Sequence, residues 1–413
     1  VVTGVGAVTP LGNDVETLWE GLLAGRSGID RVRAFDVSHL EVQIAAEVKN
    51  FNARERLGRR RVRRSDRFCL FALAAAKEAI ASAGLSFDDE GDVVRERIGV
   101  LVGTGIGGVL TLLEEYDVLQ ERGPERVSPF MIPKLMPNAA SAAIAIDQNL
   151  RGPNFSLNSA CATGSHAIGE AAGLIKRGLA DVVICGGSDA GTHPLSLSAL
   201  VNMKALSTRN DDPQRASRPF DAERDGFVLG EGAGILILES LEHALARGAT
   251  IRGELLGYGA TCDAYHVAAP AESGEGAARA MAMAVQDAGL SPNRVDYINA
   301  HGTSTPLNDP IETQAIRRVF GEHADRLAVS STKSMAGHLM GAAGAVEAIA
   351  CIKSLETGWV HATINYENPD PACDLDYVPN QPRLLKPRIV LSNSFGFGGH
   401  NGCLVLRRWE DGH

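Results

Sequence analysis

The feature that most constrains this chain is the alternation, from one end to the other, of short β-branched runs with alanine-rich stretches of helical pattern. Uninterrupted apolar runs read as strands buried on both faces. Such strands need helices on either side of their sheet, so the pattern predicts an α/β protein. Strands are expected over residues 1–6, 98–102, 181–185 and 234–239, and helices over 66–84 and 163–177. After Gly248 the pattern restarts, with strands over 251–257 and 295–300 and a helix over 276–289. The 413 residues exceed the roughly 250–300 at which a single core stops growing, so two domains or two fused copies of one are expected. Segments 156–178 and 329–358 share a theme: an extended run, a Ser/Gly/Ala-rich turn, then a helix. That suggests a duplication, although alanine-rich helices resemble one another by composition alone. Glycine numbers 45 while aromatics are only 5% of the chain, so the core must be packed from small side chains that let backbones approach closely. Residues 207–225, with two prolines and many charges, read as a surface loop.

Several function classes drop out. The net charge of -10 argues against general nucleic-acid binding, although a local basic patch exists: eight arginines lie between Arg54 and Arg67 against Glu55 and Asp66. Seven cysteines form no CxxC pair and no His/Cys cluster at zinc spacing, which predicts a reducing compartment and no zinc. No membrane span is expected, because the apolar run over 341–352 is interrupted by Glu347 and falls short of the ~20 residues required. The expected location is cytoplasmic. An organellar location after removal of a transit peptide stays open, since the chain starts at Val1 inside an apolar run.

One cysteine differs from the rest. Cys161 falls where a strand end turns into a helix N-terminus, flanked by Ala160, Ala162 and Gly164. Unpaired amides and the positive dipole end there are expected to stabilise a thiolate, the arrangement of a nucleophile elbow, against the alternative of a buried core cysteine. His301 follows a strand end and precedes Gly302, Thr303, Ser304 and Thr305, where α/β ligand sites lie. His338 closes a polar segment that begins at another strand end, and Lys333 in that segment is costly to bury without a carboxylate, so a Lys333–Glu347 pair is expected. Asn393-Ser394-Phe395-Gly396-Phe397-Gly398-Gly399 is a loop whose amides suit an oxyanion hole, or else a tight strand connection. Asp309, Pro310 and Glu312 read as N-cap, N1 and N3 of a capping box for a helix over 311–320. The turn over 103–108 carries glycines at GxGxxG spacing but has no acidic residue at the end of the next strand, so a dinucleotide site is not expected.

Taken in order, Ser159-Ala160-Cys161-Ala162-Thr163-Gly164, His301-Gly302-Thr303-Ser304-Thr305-Pro306, the segment from Ser331 through Lys333 and His338 to Glu347, and the 393–399 loop resemble the β-ketoacyl-acyl carrier protein synthases, most closely the synthase II type. The resemblance runs over essentially the whole chain. It implies a thiolase-like fold of two duplicated halves, 1–249 and 250–413, each with a five-stranded mixed sheet in an αβαβα layering, and a homodimer. It implies that Cys161 accepts the acyl chain, that His301 and His338 hold the malonyl thioester carbonyl, and that Lys333 and Glu347 support them. Phe397 matches the gate, and its amide with that of Cys161 matches the oxyanion hole. Ile106 falls where the family lines the acyl pocket. Asn299, Ala300, Glu347, Ser392 and Asn393 match positions that hold a monovalent cation, potassium or sodium, in some members. His400 stands where threonine is common in bacterial members.

No redox cofactor is implied; phosphopantetheine arrives on the acyl carrier protein, in acyl and malonyl forms. Arg63, Arg64, Arg67, Lys204 and Arg209 match regions through which family members meet that acidic carrier, against the bland alternative of a solvated face. A ketosynthase of a polyketide or specialised lipid pathway shares these motifs. A catalytically silent chain-length partner would lack the nucleophile, a thiolase would carry a second reactive cysteine near the C-terminal glycine loop, and type III synthases use a histidine and an asparagine.

Overall fold

Ten strands build two sheets in the computed structural model, which describes residues 1–87 and 92–410. The strands β1 (Val2–Val8), β2 (Ile98–Gly103), β3 (Asn154–Phe155), β4 (Val182–Asp189) and β5 (Gly232–Glu239) form the first, in the order β1-β5-β4-β2-β3. The second is β8-β7-β9-β10-β6, from β6 (Glu254–Cys262), β7 (Tyr297–Asn299), β8 (Ala328–Ser330), β9 (Ile389–Gly396) and β10 (His400–Arg407). In each sheet the first strand in sequence is antiparallel to the fifth and the fifth to the fourth, whereas the fourth, second and third run parallel. Identical order and sense in both ladders mark two copies of one unit, which composition alone leaves undecided.

Helices α1 (Arg59–Arg64), α2 (Arg67–Ser82), α3 (Val109–Arg122), α4 (Ala139–Gln148) and α5 (Thr163–Lys176) belong to the first half, and α6 (Glu275–Asp287), α7 (Asn308–Phe320) and α8 (Ala343–Thr357) to the second. Helices α5 and α8 pack against each other between the sheets, α2 and α4 cover the outer face of the first sheet, and α6, backed by α7, covers that of the second. The result is the αβαβα layering of the thiolase-like fold. Burial on all sides explains why α8 reads as almost continuously apolar: Val346, Ile349 and Ile352 all lie in the central core.

The glycine excess has a packing cause. A Cβ at Gly4 or Gly6 on β1 would come within 2.2 Å of Ala79 O and 2.0 Å of Ala75 O on α2, so the helix rides directly on the strand backbone. The same contact recurs in the second half, where Gly257 and Gly259 on β6 meet the Ala284 and Ala280 carbonyl oxygens of α6, each 2.1 Å from where a Cβ would stand. At these crossing points there is no room for a side chain, and large residues such as Phe68 and Phe71 pack on other faces of α2.

The 207–225 segment departs from the surface loop expected of it. Arg218, Phe220 and Asp221 within it are buried, with Arg218 paired to Asp221 at 3.1 Å and to Glu367 at 2.8 Å, and Phe220 stacked on Tyr377 at 3.9 Å between centroids. Its charges turn inward because a carboxylate from distant Glu367 meets them, a partner that local sequence does not show. Among the described residues no helix is long and apolar enough to cross a membrane.

Candidate active site

Cys161 sits in a one-turn 3-10 segment, Ala160–Ala162, directly before α5. Ala160 takes the left-handed backbone (φ 50°), a strain characteristic of sharp nucleophile turns. Gly396 makes the turn possible from the other side, because a Cβ there would lie 2.8 Å from Ser159 O and 3.0 Å from Cys161 N. His338 brings Nε2 to 3.1 Å from Cys161 Sγ. The His301 ring stands edge-on to that of His338 at 5.5 Å between centroids, and Phe227 packs edge-on to His338 at 5.1 Å. Lys333 Nζ lies 3.4 Å from His301 Nδ1 and forms an ion pair with Glu347, both groups only 2% exposed. The expected Lys333–Glu347 pair therefore forms. Because Nδ1 of His301 faces an ammonium, it carries the lone pair and Nε2 carries the proton.

The electrostatics of Cys161 differ from those expected of a helix N-terminus. Burial pushes its thiol up to about 11, although the Lys333 charge and the N–H of Phe397 pull the other way. Burial outweighs the dipole, so the resting group is a thiol with an acceptor beside it. Burial, followed by the repulsion of Lys333, holds both His301 and His338 well below the usual histidine range, which keeps the imidazoles neutral. With its proton on Nδ1, neutral His338 presents the Nε2 lone pair at 3.1 Å from the protonated sulfur and is poised to take that proton, and the Nε2–H of neutral His301 is poised to donate to an oxygen.

These groups open into a cavity of about 340 Å³ lined by Cys161, His301, His338, Phe395 and Phe397, with exposed Lys204 at its margin. Ile106 is not one of its walls. Its turn abuts the nucleophile turn instead, with the Cβ position of Gly105 3.7 Å from Ala160 O.

Sequence reading of Asp309 and Glu312 as a capping box is overturned. Helix α7 starts at Asn308 without a side-chain cap. Glu312 accepts the N–H groups of His301 and Gly302, each at 2.8 Å, and Asn393 Nδ2 at 3.0 Å, while Asp309 accepts the Phe220 N–H at 2.8 Å. The two acids face backward, onto the histidine loop and its brace, rather than onto their own helix. The brace is the 207–225 segment and the residue that follows it: Arg218 N–H donates to Ser304 Oγ at 2.9 Å and Gly226 N–H to Ser304 O at 3.0 Å. The one sequence signal for this was two acids closely following the His301 loop, the second of them eleven residues on.

Of the remaining candidate residues, Arg63 and Arg64 are exposed on α1, Arg64 lying over the Phe130 ring. Arg67 is instead bound by Glu231 through Nε at 2.9 Å and stacked on Phe71, and Arg209 is engaged by Glu223. Behind Lys333, Asn299 Oδ1, Glu347 Oε2 and Ser392 Oγ are buried oxygens without a hydrogen-bond partner. The Ala300 N–H is taken by Ser330 O, and the Asn393 side chain by Glu312 and the Cys403 thiol.

Two family descriptions match the chain: the β-ketoacyl synthase N-terminal domain over residues 1–244 and its C-terminal domain over 252–367. A 3-oxoacyl-[acyl-carrier-protein] synthase 2 of Synechocystis sp. is 52% identical over 410 residues, covering 99% of this chain and 98% of that protein. Among solved structures, the ishigamide ketosynthase/chain length factor superposes with a TM-score of 0.92 at 37% identity, covering 99% of each chain. A type II polyketide ketosynthase bound to the hexaketide, in complex with its acyl-carrier protein, superposes at 0.90 with 36% identity and the same coverage. With the motifs, the two ladders and these matches in agreement, the chain belongs to the β-ketoacyl synthase family.

Proposed function

We propose that this enzyme is a 3-oxoacyl-acyl carrier protein synthase of the type 2 class, condensing malonyl groups with an acyl chain held on Cys161 in fatty acid elongation in the cytoplasm. The observation that carries the reading is the contact of His338 Nε2 with Cys161 Sγ at 3.1 Å, beside a second neutral imidazole backed by a buried ion pair.

His338 takes the thiol proton as the sulfur attacks the acyl thioester. The carbon–sulfur bond to the carrier's phosphopantetheine breaks, the carrier thiol leaves with that proton, and acyl-Cys161 remains. A malonyl thioester then enters the same cavity. Its carbon–carboxylate bond breaks, carbon dioxide departs, and the electron pair passes to the thioester oxygen as an enolate, which the Nε2–H of His301 stabilises. His338 joins it after its proton has moved from Nδ1 to Nε2 once the sulfur is acylated; no hydrogen bond to its Nδ1 among the described residues fixes either tautomer. The enolate carbon attacks the acyl carbonyl, whose oxyanion the amides of Cys161 and Phe397 receive. The bond to Cys161 breaks and the sulfur takes up a proton from solvent, leaving a chain two carbons longer on the carrier.

Carrier docking is attributed to exposed Arg63 and Arg64 on α1 and to Lys204 at the cavity margin, whereas Arg67 and Arg209 are engaged by Glu231 and Glu223. The complex of a related ketosynthase with its acyl-carrier protein supports that partner. Homodimerisation is supported by the short edge strand β3 with Phe155 40% exposed, flanked by exposed Ile132 and Met136. The three unpartnered oxygens of Asn299, Glu347 and Ser392 fit a hard monovalent cation, which would satisfy them and tie β7, β9 and α8 together behind Lys333.

A polyketide role is the second reading, favoured by the polyketide ketosynthase among the solved structures. A silent chain-length subunit is disfavoured by intact Cys161. Mass spectrometry after incubation with acyl-carrier thioesters of graded length tests the reading: acylation confined to Cys161 and lost in Cys161→Ala is expected, and acylation or condensation in Cys161→Ala refutes it.

A further inference from the structure

Asp189 ends β4 and is 1% exposed, and no step of the reaction above uses it. Its oxygens take four neutral donors. Oδ1 accepts from Thr104 Oγ1 at 2.8 Å and the Ile106 N–H at 3.2 Å, and Oδ2 from the Gly105 N–H at 2.7 Å and the Gly341 N–H at 2.6 Å. Three of these donors lie in the turn after β2. The fourth lies in the other half of the chain, in the short turn Met340–Ala342 between His338 and α8. Burial drives the carboxyl up to about 6 against the pull of those donors. Placing a carboxylate here is therefore costly, and what it provides is a common anchor for two turns.

The turns are in contact at that anchor. A Cβ on Gly341 would stand 2.3 Å from Gly105 N, and one on Gly105 would stand 3.2 Å from Gly341 N. Thr104 Oγ1 extends the clamp by accepting the Gly107 N–H at 3.0 Å, so every residue around Ile106 is tied to the same point. Asn158 Nδ2 also donates to Gly105 O at 3.2 Å, joining this turn to the strand end that leads to Cys161. The Ile106 side chain reaches toward Gly191, with Cδ1 3.0 Å from where a Cβ would stand there. The Ile106 backbone cannot shift without breaking the carboxylate clamp, and the side chain, 39% exposed, is aimed by that backbone.

We propose that Asp189 is the positioning residue that sets which acyl lengths Cys161 accepts, by holding the Ile106 turn against the Gly341 turn; this rests on the proposed function and on the family resemblance that places Ile106 in the acyl pocket, at a point outside the 340 Å³ cavity. Its role is steric and is exerted through Ile106, with no contact to the reacting atoms.

The test is the ratio of Cys161 acylation rates for long and short acyl-carrier thioesters, read by mass spectrometry in the wild type, Asp189→Asn, Ile106→Gly and the double variant. In Asp189→Asn the carboxamide NH2 faces amide donors, the clamp opens, and the ratio is expected to change by about tenfold or more, the scale of a changed apolar pocket. The double variant is expected to match Ile106→Gly alone. A uniform loss of rate at all lengths in Asp189→Asn, or a further change of ratio in the double variant, overturns the proposal while leaving the pocket reading intact. An unchanged ratio in Ile106→Gly overturns the pocket reading and the proposal with it. If Asp189→Asn does not fold, Asp189→Glu, which keeps the charge and lengthens the arm, is read in the same way.

Discussion

Removing the Lys333 ammonium tests how the two imidazoles are kept neutral. A unit charge on His301 would stand 3.4 Å from Lys333 Nζ, which at an effective dielectric of about 20 amounts to about 5 kcal/mol of repulsion. The Glu347 carboxylate offsets part of this, and half of it still displaces the protonation constant by a factor of about 60. Burial, the larger cause of both depressed histidines, stays in place, so Lys333→Met should raise the pKa of His301 and of His338 part of the way back by removing the second cause, the Lys333 charge. Protonated His338 cannot take the Cys161 proton, so the acid limb of the acylation rate should move up toward pH 6.5. The titration of the His301 ring, followed by NMR, should move with it. The sign for stability follows: a histidine with a depressed folded pKa must be charged on unfolding, so stability falls as pH drops below 6.5, and the variant should lose less on that limb. Glu347 left alone costs about 3–5 kcal/mol of stability, and Lys333→Met/Glu347→Gln should recover most of it, because replacing both members of a buried pair is nearly neutral. Denaturant unfolding measures that recovery. An acid limb and a His301 titration unmoved from wild type in Lys333→Met would refute the reasoning, as would a double variant no more stable than the single one.

Three other substitutions probe separate parts of the site. Gly396→Ala places a methyl 2.8 Å from Ser159 O and 3.0 Å from Cys161 N; acyl labelling of Cys161 should slow by about a hundredfold, as displacements near 1 Å can, and a wild-type rate would show the loop free to yield. Glu312→Gln turns an NH2 toward the His301 or Gly302 N–H, now both held at 2.8 Å, at about 1–3 kcal/mol of stability; malonyl decarboxylation should fall more than acyl transfer, and equal losses would count against the assigned role of His301. Charge reversal at Arg63 and Arg64 should raise KM for carrier-linked thioesters, more so at low salt, and leave small thioesters unaffected; no change in either would remove α1 from the docking face.

The groups that could be read from the chain were those whose signature is local. Cys161, His301 and His338 each follow a strand end within a run of small residues, and Lys333 asks for a carboxylate wherever it is buried. What escaped depends on residues far apart in sequence. The 309–312 pattern satisfies every local rule of a capping box, yet its carboxylates bind Phe220, His301, Gly302 and Asn393. Arg218 looked solvated because Glu367 was 149 residues away. The Cys161 thiol illustrates the same limit in energetic form: the helix terminus is visible in sequence, but the burial that outweighs it belongs to the assembled core.

Duplication also explains why the chain has one nucleophile. In the second copy the turn before α8 repeats the turn before α5, down to a left-handed residue at its start: Met340 (φ 50°) stands where Ala160 (φ 50°) stands in the first. The next residue is Cys161 in one copy and Gly341 in the other. A side chain at Gly341 has nowhere to go, since its Cβ would meet Gly105 N at 2.3 Å and Asp189 Oδ2 at 2.7 Å. Filling that position with a second thiol would break the clamp that joins the halves. The second copy contributes instead from the residues ahead of its turn, with Lys333 reaching His301 and His338 reaching Cys161, so the two repeats divide the chemistry between an acyl acceptor and the groups that handle protons and the enolate. An asymmetric site of this kind cannot function as either half alone, because the acceptor sulfur comes from one half and the histidines and lysine from the other.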